Sequence, residues 1–443
     1  MEKLKFILVG AGGRGTTYVR EGKNHCPEME LVAVADPNPV RRNYIQDMFN
    51  LSDEACYVWG EELLDLPKMA DVAIIATQDK DHCRMALKAI DKGYDLLLEK
   101  PVAPTPEECL RIEEAANAKG VRVLVCHVLR YTPFFNAVKK IIDDGKIGKI
   151  KNIIHIEAIG DLHFSHSYVR GDWHSSADSS PMILAKSCHD IDIIQWLIGE
   201  RYTKIHSFGS LSFFCEENRP DGAPEFCLDG CPHEETCPYS AIKLYRKRQV
   251  PWFARHATKI HNPTEEDIER LIHETNYGRC VFGSCGNDVV DQQVVNMQFE
   301  SGATASFVVS ALNEGGRRIR IMGTKGELEG RMGQDQISVY DFVTRKTEQI
   351  SIKDSIADES IAGGHGGGDL GIIRALCQIM TGKYRGKSYA NISTSVDNHL
   401  AAFAAERSRL TDKVIDMSEY KEEIHKLIVF DPANDKNIGY IKE

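Results

Sequence analysis

Four glycines in six residues, Gly10-Ala11-Gly12-Gly13-Arg14-Gly15, stand directly after the apolar run Phe6-Ile7-Leu8-Val9. Few folds accept that order. A short buried strand that stops at a glycine turn and opens a helix is the first unit of a parallel, doubly wound sheet. With 35 glycines in the chain the spacing alone is weak, so its context carries the weight. A second apolar run, Leu31 to Ala35, ends at Asp36-Pro37, which sets an acid 21 residues after Gly15. Val72 to Ala76 and Leu96 to Leu98 repeat the theme. Between them, His82 to Lys92 places Met85, Ala86, Ala89 and Ile90 at helical spacing and stops at Gly93. Thr105-Pro106-Glu107-Glu108 reads as a capping box with proline at the first helical position, and that helix stops at Gly120 before the strand Val121 to Val125. The alternation predicts an α/β Rossmann domain over residues 1–127.

Sheets of this kind bind ligands at the carboxyl ends of their strands, where the glycine turn, Asp36, Thr77 and Glu99-Lys100-Pro101 all fall. Gly10 permits the tight turn and Gly12 lets backbone approach a pyrophosphate. Gly13, Arg14 and Gly15 then lead into a helix whose N-terminus carries partial positive charge. Asp36 suits the two hydroxyls of an adenosine ribose and repels a 2'-phosphate, which favours NAD over NADP. Arg41 and Arg42 stand near enough to help a phosphate, so NADP stays open.

Charge narrows the partners. Lys+Arg 54 against Asp+Glu 65 gives a net charge of -11, a field that repels nucleic-acid backbones and anionic membranes. The apolar run before Gly10 is too short for a signal-peptide core, and no uninterrupted apolar stretch reaches the roughly 18 residues a membrane helix needs. Thirteen cysteines, an odd number spread along the chain, suit a reducing compartment, and a cytoplasmic enzyme is expected.

Gly10 to Gly15, Asp36, His82, Glu99-Lys100-Pro101 and a downstream Cys188-His189-Asp190-Ile191-Asp192 together resemble the Gfo/Idh/MocA family of NAD(P)-dependent sugar and polyol oxidoreductases. The resemblance covers nearly the whole chain. It implies a second α/β domain, residues 128–443, with an open, mostly antiparallel sheet that binds substrate and assembles a homo-oligomer, a dimer or tetramer. Alternating runs at Lys149 to Ile159, Val294 to Phe299, Ala303 to Val309, Arg317 to Met322 and Ile337 to Val343 fit such a sheet, with helices at Pro133 to Asp144, His189 to Leu197, Asp369 to Met380 and Ser395 to Leu410.

The same resemblance implies that Lys100 lies beside the nicotinamide and the substrate hydroxyl, that His189 acts as acid or base, and that His82, Glu99 and Pro101 belong to the cofactor site. Asp192 follows His189 by one helical turn and is suited to orient a neighbour. One departure stands out. Where the family carries an aspartate four residues before the histidine, this chain has Ala185, followed by Lys186. Lys186 can bind substrate oxygens or depress the pKa of His189, so roles within Lys100, Lys186 and His189 stay open.

Further substrate contacts are expected from Arg130, Tyr131, Arg170, Asp172, Trp173, Asp192, His365 and Asp369, since aromatics and hydrogen-bonding side chains suit sugars. Residues 215–285 form a cysteine-rich insert. Cys227, Cys231 and Cys237 lie within eleven residues, with Cys215, Cys280, Cys285 and His233 nearby. Their spacing matches neither a paired zinc site nor a ferredoxin run, so a structural metal, free thiols and a local disulfide are all open. Hydride transfer to or from a sugar, sugar derivative or cyclic polyol leads. A glycosidase that oxidises transiently with NAD is the alternative, and a non-catalytic dinucleotide sensor is a third.

Overall fold

The computed structural model describes residues 3–260, 262–355 and 364–428, without the side chains of Ser355 and His365. Its first sheet holds β1 (Leu4–Val9), β2 (Met29–Ala35), β3 (Cys56–Tyr57), β4 (Val72–Ile75), β5 (Asp95–Leu98) and β6 (Val123–Val125) in the order β3-β2-β1-β4-β5-β6, every pair parallel. All four residues of β4 and the last four of β1 are buried. Helices cover both faces of such a sheet, so these strands read as unbroken apolar runs rather than alternations. The order reverses between β1 and β4, and the crevice of the sheet opens there. The cap at Thr105 forms as expected, its hydroxyl accepting from the Glu108 amide at 3.2 Å, and Gly120 closes that helix at φ 70°.

The second sheet has nine strands: β7 (Ile150–Ala158), β8 (Tyr202–Ser210), β9 (Gln292–Phe299), β10 (Thr304–Ser310), β11 (Gly316–Gly323), β12 (Gly326–Arg331), β13 (Gln336–Asp341), β14 (Thr347–Ser351) and β15 (Ile415–Asp416). They run β14-β13-β12-β11-β7-β10-β9-β8-β15, and only β7 and β10 are parallel. One face is buried under the helices Cys188–Ile198 and Ile392–Thr411, which produces the strict alternation along β9 and β10. Strands β8, β12, β14 and β15 were not expected from the sequence. Gly-Glu-Leu-Glu-Gly-Arg in β12 and Thr-Glu-Gln-Ile-Ser in β14 carry too few apolar residues to show a period, because their burial is slight.

One helix of the distant chain returns to the first domain. Ile372, Ile373, Leu376 and Cys377 of Gly368–Met380 complete an apolar cluster with Phe6, Leu8, Tyr18 and Leu97. His127 stands at the seam between β6 and the turn Val128–Tyr131.

The insert is a lobe with its own core. Helices Pro251–Thr258 and Glu265–Glu274 pack Phe253, Ile268, Leu271 and Ile272 against Leu244, Tyr245 and Tyr277. Cys227, Cys231, Cys237 and Cys280 line one small cavity beside Arg170, and all thirteen cysteines are free thiols. Among the described residues no three metal-ligating side chains stand close enough together to hold an ion, and no helix is long and apolar enough to cross a membrane.

Candidate active site

The turn after β1 leans on the end of β4. Gly10 adopts φ 94°, and a Cβ there would sit 2.4 Å from the Ala76 carbonyl oxygen; a Cβ on Gly15 would sit 2.0 Å from the carbonyl oxygen of Gly10. Gly12 and Gly13 differ. A Cβ on Gly12 would find only Arg41 Nη1 at 3.8 Å, one on Gly13 would find nothing within 4 Å, and no side chain caps the helix Gly13–His25. Uncapped first-turn amides facing open space are what a pyrophosphate requires. Asp36 is buried, with Oδ2 accepting from the Ala11 amide at 2.7 Å and Oδ1 from the Asn38 amide at 2.8 Å. It therefore fixes the glycine turn to the end of β2. Arg42 Nη1 donates to the Asp36 carbonyl at 2.6 Å, whereas Arg41 points its Nη1 toward Gly12. These residues fit a dinucleotide. Gly10→Ala is expected to weaken NADH binding by at least about ten-fold and to cost about 1–3 kcal/mol of stability from the backbone conformation alone. A fluorescence titration with NADH that matches the parent would overturn this reading of the turn.

Several residues expected at the cofactor are bonded to one another. Arg14 turns inward: its Nε donates to Glu99 Oε1 at 2.8 Å and its Nη2 to Asp369 Oδ1 at 2.6 Å, while Tyr18 donates to Glu99 Oε1. Asp369 is buried and its carboxylate is held by the Arg14 side chain, which sets it against a counter-charge rather than the substrate hydroxyls expected for it. Against the penalty of burial, Arg14 and Lys100 hold the Glu99 carboxyl below its ordinary range. His82 ties two loops together, with Nδ1 2.6 Å from the Pro101 carbonyl and Nε2 3.3 Å from that of Thr77.

Lys100 is fixed at both ends. Its amide donates to Glu99 Oε2 at 2.7 Å and its ammonium to the Ala185 carbonyl at 2.8 Å. Next to it, Lys186 Nζ lies 3.4 Å from Glu157 Oε1, and burial lowers its pKa although Glu157 opposes the shift. Glu157 and Arg317 are cross-strand partners on β7 and β11, 2.8 Å apart as an ion pair. Arg317 grips Asp190 at 2.7 and 3.0 Å, and His155 Nε2 lies 2.7 Å from the same carboxylate. A buried chain of alternating charge therefore runs from Asp190, the neighbour of His189, out to Lys186.

His189 stands edge-on to His127 with ring centroids 6.0 Å apart, and His127 is 5.6 Å from His399. Burial pushes His127 well below the ordinary histidine range and His399 down to about 3. His399 Nε2 accepts from the Val102 amide at 2.9 Å, which puts its proton on Nδ1 toward the Ser395 carbonyl. The sequence reading missed His127, His155, Glu157, Arg317 and His399. Only His155 and Glu157 left a trace, two polar residues at alternate places on one face of the strand Lys149 to Ile159.

Other expected substrate contacts lie elsewhere. Arg130 and Asp192 hold each other in a buried two-pronged pair at 2.7 and 2.6 Å, with Asn398 also bound to Asp192, so neither faces a sugar. Tyr131 packs on Gly371 of the returning helix. Arg170 belongs to the insert, donating to the carbonyls of Arg279 and Tyr239. Asp172 pairs with Lys259 at 3.3 Å, and Trp173 lies parallel to His256 at 6.2 Å, both at the insert's edge. His365 lies in the turn Gly364–Gly367, and its side chain lies outside the described residues.

A Rossmann crevice with an open glycine turn, a lysine at the end of β5 and a histidine from the facing domain define an NAD-binding oxidoreductase. The chain belongs to the Gfo/Idh/MocA oxidoreductase family: residues 4–127 match its NAD-binding Rossmann fold and residues 139–385 its C-terminal alpha/beta domain. YteT of Bacillus subtilis (strain 168), described as an oxidoreductase, is 27% identical over 319 residues, 70% of this chain and 72% of that one. Inositol 2-dehydrogenase of Ralstonia nicotianae is 28% identical over 200 residues, 45% of this chain, and the match spans 56% of its length. Levoglucosan dehydrogenase, solved with NADH and L-sorbose, shares the fold with a TM-score of 0.69 at 18% identity, covering 94% of this chain and 99% of that one.

Proposed function

We propose that this chain is an NAD-dependent dehydrogenase that moves hydride between nicotinamide and a hydroxyl-bearing carbon of a sugar, sugar derivative or cyclic polyol. The observation that carries the reading is the placement of Lys100 at the end of β5, its amide held by Glu99 and its ammonium by the Ala185 carbonyl. The dinucleotide, when bound, supplies the hydride acceptor or donor. Lys100 has three N–H donors; Ala185 takes one, leaving two for the oxygen on the reacting carbon. That oxygen becomes more negative as it loses its proton, and the ammonium stabilises it in proportion. His189 takes or returns the proton, and Lys186 binds a neighbouring oxygen. Relatives named as inositol and levoglucosan dehydrogenases support a polyhydroxylated ring as substrate. Asp36 supports NAD as the cofactor.

The test is a panel of sugars, polyols, glycosides and keto-sugars offered with NAD(H) and NADP(H). One NADH should accumulate per carbonyl formed, and NAD should be preferred. Release of an aglycone with no net NADH would move the reading to a glycosidase, and no reaction across the panel would overturn it.

A further inference from the structure

In the ion-pair cluster around Lys186 the side chains that keep exposure are cationic. The side chains of Lys186 and Arg317 keep 19% and 11% of their surface exposed, while those of Glu157, Asp190 and Asp192 keep 3%, 0% and 0%. Each carboxylate is turned toward an arginine: Glu157 and Asp190 toward Arg317, Asp192 toward Arg130, and Glu99 toward Arg14. Half-buried Lys100 has no carboxylate within ion-pair distance among the described residues, and its ammonium is met by a neutral carbonyl.

Ala185 offers Lys100 only a carbonyl, and Lys186 beside it carries a positive charge. Glu157 is the sole carboxylate paired with Lys186 among the described residues, and it is shared with Arg317. Without an anionic ligand, Lys100 and Lys186 repel each other, and Lys100 is among the groups that lower the pKa of Lys186. From this geometry we infer that the substrate is a sugar acid, a hexuronate or a glycoside of one, whose carboxylate docks on Lys186 while Lys100 holds the reacting hydroxyl. The inference rests on the oxidoreductase reading above. A carboxylate suits the site better than a phosphate: Lys186 offers a single compact charge, and the arginine forks that favour phosphate are all bound to carboxylates.

The enzyme loaded with NADH would be titrated, by cofactor fluorescence, with hexuronates, their methyl esters, the parent hexoses and hexose 6-phosphates. The acids are expected to bind at least about ten-fold tighter than ester or hexose, the ratio of one charge-assisted bond gained. That advantage should shrink at high salt. Lys186→Gln should abolish it, and Lys186→Arg should keep most of it. The comparison of acid with ester needs no variant, so it decides the matter even if Lys186→Gln folds poorly. Equal binding of acid and ester overturns the inference, as does tighter binding of a hexose phosphate. If neutral sugars reduce NAD and the acids do not, this inference alone falls. If no sugar of either kind reduces NAD, the oxidoreductase reading falls and takes the inference with it.

Discussion

Lys100→Met should turn over at least about a thousand-fold more slowly than the parent while binding NADH with nearly unchanged affinity. Methionine keeps most of the stem and discards the charge and all three donors. The bond from the residue 100 amide to Glu99 survives because it is main chain, so β5 and the crevice stay in place. What disappears is the group that steadies the substrate oxygen as it gains charge. Removing one such electrostatic stabiliser typically costs about 10²–10³ in rate, and losing the group that positions the hydroxyl adds to it. Lys100→Arg should recover little, because a planar fork cannot meet the Ala185 carbonyl and the substrate oxygen in the same geometry. Steady-state kinetics beside an NADH titration provide the check. A Lys100→Met enzyme within about ten-fold of the parent in kcat would remove Lys100 from the chemistry.

The parts of this site that were legible in the sequence are those whose partners are local. Gly10 to Gly15 were legible as a turn between strand and helix because the three are contiguous. The Thr105 cap read correctly for the same reason. Arg14 sits inside that motif and was placed at the cofactor on position alone, whereas its strongest partner, Asp369, lies 355 residues away. Arg130 and Asp192, 62 residues apart, were each read as sugar ligands because a polar residue near a crevice looks the same whether it faces the crevice or a counter-charge. Glu157 and Arg317 became partners only through the register of β7 with β11, which no local period reveals. Strands buried on both faces declared themselves, and slightly buried β12 and β14 did not. The gap at Ala185 was visible, yet its consequence, a lysine met by backbone rather than carboxylate, needed the fold.

Arg130→Met is expected to cost about 3–5 kcal/mol of stability, the usual effect of breaking a buried ion pair from one side. Arg130 rises from the turn after β6, Asp192 from the helix Cys188–Ile198, and Asn398 from the helix Ile392–Thr411, so one carboxylate joins three elements. Burial pushes the Asp192 carboxyl above its ordinary range even with Arg130 pulling the other way. Taking Arg130 away removes that pull and raises the folded-state value further. A carboxyl whose folded pKa exceeds its unfolded pKa adds stability at pH below the unfolded value and loses it as pH climbs through the folded value. The stability gap between Arg130→Met and the parent should therefore narrow on going from about pH 8 to about pH 5, where Asp192 in the variant takes up its proton. Arg130→Met combined with Asp192→Leu should regain part of the loss, because no charge is then left buried alone. Urea denaturation at the two pH values measures all three. A substrate contact makes a different prediction: KM would rise with stability intact. If Arg130→Met behaves that way, or if its deficit widens in acid, the buried pair is not what Arg130 is for.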